Sequence, residues 1–167
     1  MVDWLTGKLG QSLAAGAVLS LVAGCQLQNA DGESTSGMVS KLGSETHCRA
    51  ARPGLDLMAT ESALPAAGGE ASEQMKQALE RDAFVLRVNL GQKPTPGYSA
   101  ELGDVQRDGE SLLLDMKATE PAPDAMVSQV ITTPCVVLEV PSSGWSRLEV
   151  RMDAEGFPLT LEHPNPG

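Results

Sequence analysis

Ala83-Phe84-Val85-Leu86-Arg87-Val88-Asn89-Leu90 is the stretch on which the fold turns. Phe84, Leu86, Val88 and Leu90 fall on one face and Arg87 and Asn89 on the other, the period of two expected of a half-buried strand. Immediately upstream the period changes. Met75, Ala78 and Leu79 recur at spacings of three and four, so Ala71 to Arg81 reads as a helix. Ser72 is placed to cap its start, and Glu73 lies near the positive end of its dipole. Before the helix, Gly54 to Thr60 is a short candidate strand with Leu55 and Leu57 on one face, and Pro65 and Gly68-Gly69 separate the two elements.

Downstream the alternation continues. Tyr98, Ala100 and Leu102 point one way, Ser99 and Glu101 the other. Asp108-Gly109 is a hairpin signal leading into Ser111 to Ala118, where Leu112, Leu114 and Met116 share a face. Gln129 to Val140 is a β-branched run interrupted by Pro134, which cannot donate to a ladder and so marks a bulge or an edge. Trp145 to Met152 and Phe157 to Leu161 complete about seven strands. Short turns between successive strands favour antiparallel pairing. The expected fold is mainly β (α+β): an antiparallel β-sandwich-like domain of about seven strands with one packed helix.

The N-terminus carries a different kind of signal. An apolar stretch from Leu13 to Ala23 leads into Leu21-Val22-Ala23-Gly24-Cys25. It has the length of a secretory signal and is too short to span a bilayer, which takes about 20 apolar residues. The charged start is weak, since Lys8 is opposed by Asp3. An amphipathic helix of a cytoplasmic protein is the competing reading. The small residues before Cys25 resemble the lipobox of bacterial lipoproteins, in which the thiol is diacylated and the signal is cut just before it. That resemblance implies a signal peptide over 1–24, a lipidated Cys25 followed by a flexible tether to residue 47, and a β-rich domain over 48–167. Gln26 to Ser44 is rich in Gly and Ser, as a tether would be. Gln26, rather than Asp, implies the outer membrane, with the domain facing the periplasm or the cell surface.

Composition limits the partners. A net charge of −10 argues against nucleic acid, which needs a clustered basic surface, and against adhesion to anionic head groups. With Cys25 lipidated, Cys48 and Cys135 remain. In an oxidising compartment they read as a disulfide closing 87 positions; the alternative is two unrelated buried thiols.

Chemistry is sparse. His47 and His163 lack ligand spacing, no nucleophile elbow or phosphate loop is present, and Asp104, Asp108, Glu110 and Asp115 read as turn and solvent-face charges. The expectation is therefore a non-enzyme with no metal and no cofactor. Binding is better served. The proline-stiffened loop Lys93-Pro94-Thr95-Pro96-Gly97-Tyr98 loses little entropy on docking, and Tyr98 is either its anchor or the first core residue of a strand. Trp145, after Ser142-Ser143-Gly144, is a second candidate.

Phe84 to Val140 also carries a family pattern: Asn89-Leu90-Gly91-Gln92, then Lys93 to Tyr98, two amphipathic strands, Glu120-Pro121-Ala122-Pro123-Asp124, and Thr132-Thr133-Pro134-Cys135 before Val136 to Pro141. It resembles the PrcB C-terminal domain family, named from a lipoprotein subunit of a surface protease complex. Pro96 stands where the family more often has glycine, and Cys135 where it has an aromatic residue. The resemblance implies a non-catalytic envelope domain that binds or stabilises a protein partner, with a peptidase as the natural candidate. Pro94 to Tyr98 is also similar to one loop of chagasin-type cysteine-peptidase inhibitors, whose glycine-rich and Arg-Pro-Trp loops have no counterpart here. Peptidase inhibition through that loop, or a structural or ligand-carrying envelope role, are the alternatives.

Overall fold

The computed structural model describes residues 33–34, 37–65 and 70–165. The signal segment and Cys25 lie outside them. Nine strands, one of only two residues, and one α-helix occur among the described residues: β1 (Glu33–Ser34), β2 (Ser40–Glu45), β3 (Pro53–Met58), α1 (Glu70–Glu80), β4 (Ala83–Leu90), β5 (Ser99–Asp108), β6 (Ser111–Thr119), β7 (Cys135–Pro141), β8 (Arg147–Met152) and β9 (Leu159–Glu162). They form two sheets, ordered β1-β5-β6-β8-β9 and β2-β7-β4-β3. The mainly-β sandwich with one packed helix is thus the fold.

Pairing is antiparallel except between β6 and β8. That exception has a simple cause. The chain leaves β6, crosses to the other sheet, runs back as β7, and returns as β8 in its original direction.

β4 is central in its sheet, flanked by β3 and β7. Leu86 and Val88 face the other sheet and bury with Leu112, Leu114, Leu138, Leu148 and Val150 in the main core. The opposite face is covered as well. α1 lays Met75 and Ala78 over Val85, Val137 and Met58 in a second cluster. Farther along that face Asn89, only 2% exposed, lies directly across from Cys135. The reading of Asn89 as a solvent-facing residue is therefore corrected: its neighbour Cys135 is bonded to Cys48, whose segment runs beside Thr133 at this point. Asn89 keeps one polar partner, donating from Nδ2 to Asp56 Oδ2 at 2.8 Å.

Three boundaries also differ from expectation. The tether does not run to residue 47. Ser40–Glu45 pairs with β7 from Ser40↔Glu139 to Glu45↔Cys135, and Val39 is buried. Gly and Ser read as coil because they bring little apolar surface, yet ladder hydrogen bonds use the backbone alone. Second, the run from Gln129 enters its strand only at Cys135, because Pro134 has no N–H to give; its carbonyl instead accepts from Leu90 N–H at 2.9 Å. Third, α1 begins at Glu70, which places Ser72 inside the helix rather than at its cap.

Candidate functional site

Three connections, 46–52 between β2 and β3, 91–98 between β4 and β5, and 120–134 between β6 and β7, meet at one end of the sandwich, where the acidic turn 153–158 between β8 and β9 also lies, its Gly156 against Pro53. The registers Glu45↔Cys135, Pro53↔Leu90 and Ser99↔Thr119 bring their roots to that end.

Thr132 and Thr133 tie them together. Lys93 and Thr132 exchange backbone hydrogen bonds, 2.8 Å from Lys93 N to Thr132 O and 3.0 Å in return. Thr132, buried, donates its hydroxyl to Thr95 O at 3.1 Å. Thr133 O accepts from Cys48 N–H at 2.8 Å, and Thr133 Oγ1 accepts from Arg49 N–H at 3.0 Å. Gln92 N–H reaches Ala51 O at 3.2 Å. The Cys48–Cys135 disulfide, with Cα atoms 6.0 Å apart, clamps the same junction. Residue-by-residue reasoning did not assign a site role to Thr132 or Thr133. Their place in the family pattern was the available signal.

The 92–98 loop leans on its neighbours instead of projecting freely. Gly97 adopts φ +100°, and a Cβ there would come within 3.1 Å of Pro121 Cβ. Tyr98 is half-buried, with Lys93 Nζ 5.2 Å from its ring centroid, a cation–π contact. Pro94, by contrast, is exposed.

The conspicuous surface lies in the longer connection. Met126 is 102% exposed, Ile131 59% and Val130 51%, and these are the exposed large apolar side chains among the described residues. Sequence reading missed them for a physical reason. Val130-Ile131 is a β-branched pair that resembles the start of a strand, and only the absence of a paired backbone leaves it outside the sheet.

Trp145 lies at the opposite end, 5% exposed. Its indole N–H donates to Pro141 O at 2.7 Å, and its ring meets His163 edge-on with centroids 4.5 Å apart. Burial removes it from the docking candidates. His163 is itself buried. Its Nδ1 accepts from Asn165 N–H at 3.0 Å, so Nε2 carries the proton donated to Ser142 O at 2.8 Å. Trp145, His163 and Phe84 line a cleft of about 470 Å³ together with Asp82, Ser142 and Asn165.

Electrostatics elsewhere are structural. Arg87 donates from Nη2 (2.8 Å) and Nε (3.1 Å) to Asp56 Oδ2 across the β3–β4 ladder. Burial pushes the Asp56 carboxyl up, but the hydrogen bonds from Arg87 and Asn89 and the Arg87 charge outweigh it and hold it below the usual carboxylate range. Glu45, Cys48 and Cys135 bring potential ligand atoms within 4.8 Å of one another, but both sulfurs are committed to the disulfide. Among the described residues, no helix is long and apolar enough to cross a membrane.

The end just described is built mainly from one continuous segment, β4 through β7. Residues 84–141 match the family described as PrcB C-terminal. The PrcB C-terminal-like segment contributes two strands to each sheet and contains both the Lys93–Tyr98 loop and the exposed apolar connection. Cys48, Trp145 and His163 fall outside it. No curated protein and no solved structure matches the chain.

Proposed function

We propose that this chain is a membrane-anchored, non-catalytic accessory subunit of an envelope protease complex, docking its partner through the end formed by 46–52, 91–98 and 120–134. The observation that carries the reading is that, among the described residues, the exposed large apolar side chains, Met126, Val130 and Ile131, all lie in one connection of the PrcB C-terminal-like segment. Exposed apolar groups clustered on a rigid base mark interaction sites. The lipobox-like run ending at Cys25 supports anchoring through lipid, Gln26 favours the outer membrane, and a disulfide suits an oxidising compartment.

The test is affinity purification of the full-length, C-terminally tagged chain from envelope extracts of the cells that express it. Enrichment of a defined protease-complex subunit is expected. Ile131→Asp lowers that enrichment at least tenfold, about 1.4 kcal/mol, while circular dichroism stays native. Equal enrichment by the wild type and by both Ile131→Asp and Val130→Asp would reject this surface. Inhibition of papain-like or serine peptidases that survives Ile131→Asp and disappears in Tyr98→Ala would favour the inhibitor reading instead. An empty pull-down with a co-purifying small molecule would favour the carrier role.

A further inference from the structure

Val130 and Ile131 lie in a segment that is bare in backbone as well as in side chain. Ala125 N–H closes a turn on Ala122 O at 2.9 Å, and the next backbone hydrogen bonds along the chain are those of Thr132 with Lys93. Between them, no N–H or C=O of residues 126–131 is hydrogen-bonded to another described residue. From Ala125 to Ile131 the chain makes no turn or bend, and no residue there has a positive φ. All of 126–131 are exposed except half-buried Val127. At about 3.3 Å per residue the segment offers about 20 Å of extended backbone, the length of an ordinary strand.

Three features separate it from a common loop. Val127, Val130, Ile131, Thr132 and Thr133 are β-branched, and Pro123 and Pro134 stand outside the segment. Thr132 and Thr133 already bridge Lys93 and His47, so backbone pairing begins at the root of the segment and stops at Ile131. Val130 and Ile131 are consecutive, and an extended chain points successive side chains to opposite sides. They are 51% and 59% exposed, and a surface laid against one side would cover only one of them.

We infer that residues 126–131 bind as an added β-strand along an unpaired strand edge of the protein partner. The inference rests on the docking reading above and specifies how the partner is recognised. The partner's edge pairs with the main chain of alternate residues. The two faces of the new strand carry Met126, Ser128 and Val130 on one side and Val127, Gln129 and Ile131 on the other. Main-chain hydrogen bonds supply affinity in this mode, and pockets for alternate side chains supply selectivity. The bridges at Thr132 and Thr133 hold the root in place beforehand, which lowers the cost of ordering the segment. Met126 and Val130, and Val127 and Ile131, are also four apart, the spacing of a helix face. A helix is opposed by the β-branched content and by the bridged Thr132-Thr133 pair.

A short proline scan separates the modes. Val127→Pro, Ser128→Pro and Gln129→Pro are made in the full-length tagged chain, beside Ile131→Asp. The yield of the envelope protein that the wild type enriches is measured for each. Each proline removes an N–H that has no partner among the described residues, so circular dichroism is expected to stay native. On a strand edge only alternate residues pair with the partner, and a proline at the others faces solvent. Val127→Pro and Gln129→Pro should therefore behave alike and Ser128→Pro oppositely, with at least a tenfold loss of yield at one parity and less than threefold at the other. Equal loss from all three prolines overturns the inference and points to a helix; equal retention overturns it and points to side-chain recognition alone. In both cases loss of yield in Ile131→Asp keeps the docking reading. Loss of native circular dichroism in any proline variant contradicts the bare backbone and overturns the inference, as does capture of a differently tagged second copy of this chain with the same two-residue period. That period on a protein outside any protease complex sustains the inference and overturns the protease reading. Yields unchanged by the prolines and by Ile131→Asp overturn both readings, and so does a wild type that enriches no protein.

Discussion

Replacing both Cys48 and Cys135 by alanine tests the clamp beneath the docking end. The disulfide closes 87 positions, and the loop-entropy model gives a loss of about 4–5 kcal/mol at 25 °C. Cys48 and Cys135 are 7% and 1% exposed, so removing two sulfurs from packed sites adds of order 1 kcal/mol. Domains of this size are stable by about 5–15 kcal/mol, so the variant is expected to stand near the edge of folding. The assay is equilibrium urea unfolding at 25 °C of the oxidised wild type, the reduced wild type and the double variant. With a slope of about 2 kcal/mol/M, the midpoint should drop by roughly 2–2.5 M in the reduced wild type and roughly 2.5–3 M in the double variant. Reduced wild type and double variant should agree within about 1 kcal/mol, because both lack the crosslink and differ only in two buried sulfurs. Amides of Cys48 and Arg49, then held only through Thr133, should exchange faster. A stability loss below about 1 kcal/mol in both forms would refute the reasoning, since the loop-entropy model puts the loss several-fold higher.

Met75→Ala should cost about 2–4 kcal/mol in the same titration, because Met75 is fully buried between α1 and the outer face of the β4 sheet; a loss under 1 kcal/mol would mean that the helix does not seal that face. Gly97→Ala should cost about 1–2 kcal/mol, since φ +100° is strained for alanine and its Cβ meets Pro121; an unchanged melting temperature would contradict that geometry. Asp56 is depressed in the folded state, so its contribution is present above its unfolded value near 3.9 and is lost as pH falls through the lower folded value. Because the carboxylate is half-exposed, that contribution should stay within about 0.5 kcal/mol. The slope of stability against pH below 4 should be shallower in Asp56→Asn, and equal slopes would remove Asp56 from the acid response.

Much of the scaffold was legible. The faces of β4 and β6, the Asp108-Gly109 hairpin and the apolar stripe of α1 all follow from period and turn chemistry, which act over a few residues. The site was legible only in outline. Lys93 to Tyr98 stood out through its prolines, but its attachment to Thr132 depends on contacts spanning 37 and 39 positions. Trp145 could not be told from a surface anchor, because an aromatic residue after a Ser-Ser-Gly turn suits either place. His163, at the far end of the chain, decides the matter by packing against it.

Local pattern sufficed for the sandwich class, the course of its central strands and the family resemblance over Phe84 to Val140. Long-range packing established that Ser40–Glu45 is a strand and that Val130-Ile131 is not. Both outcomes share one physical reason. A strand exists where a neighbouring backbone offers its hydrogen bonds, and side-chain pattern does not record that offer. Ser40–Glu45 has little apolar surface but finds the edge of β7; Val130 and Ile131 have the β-branched side chains but meet no strand edge before Pro134, and so remain exposed at the end of the domain.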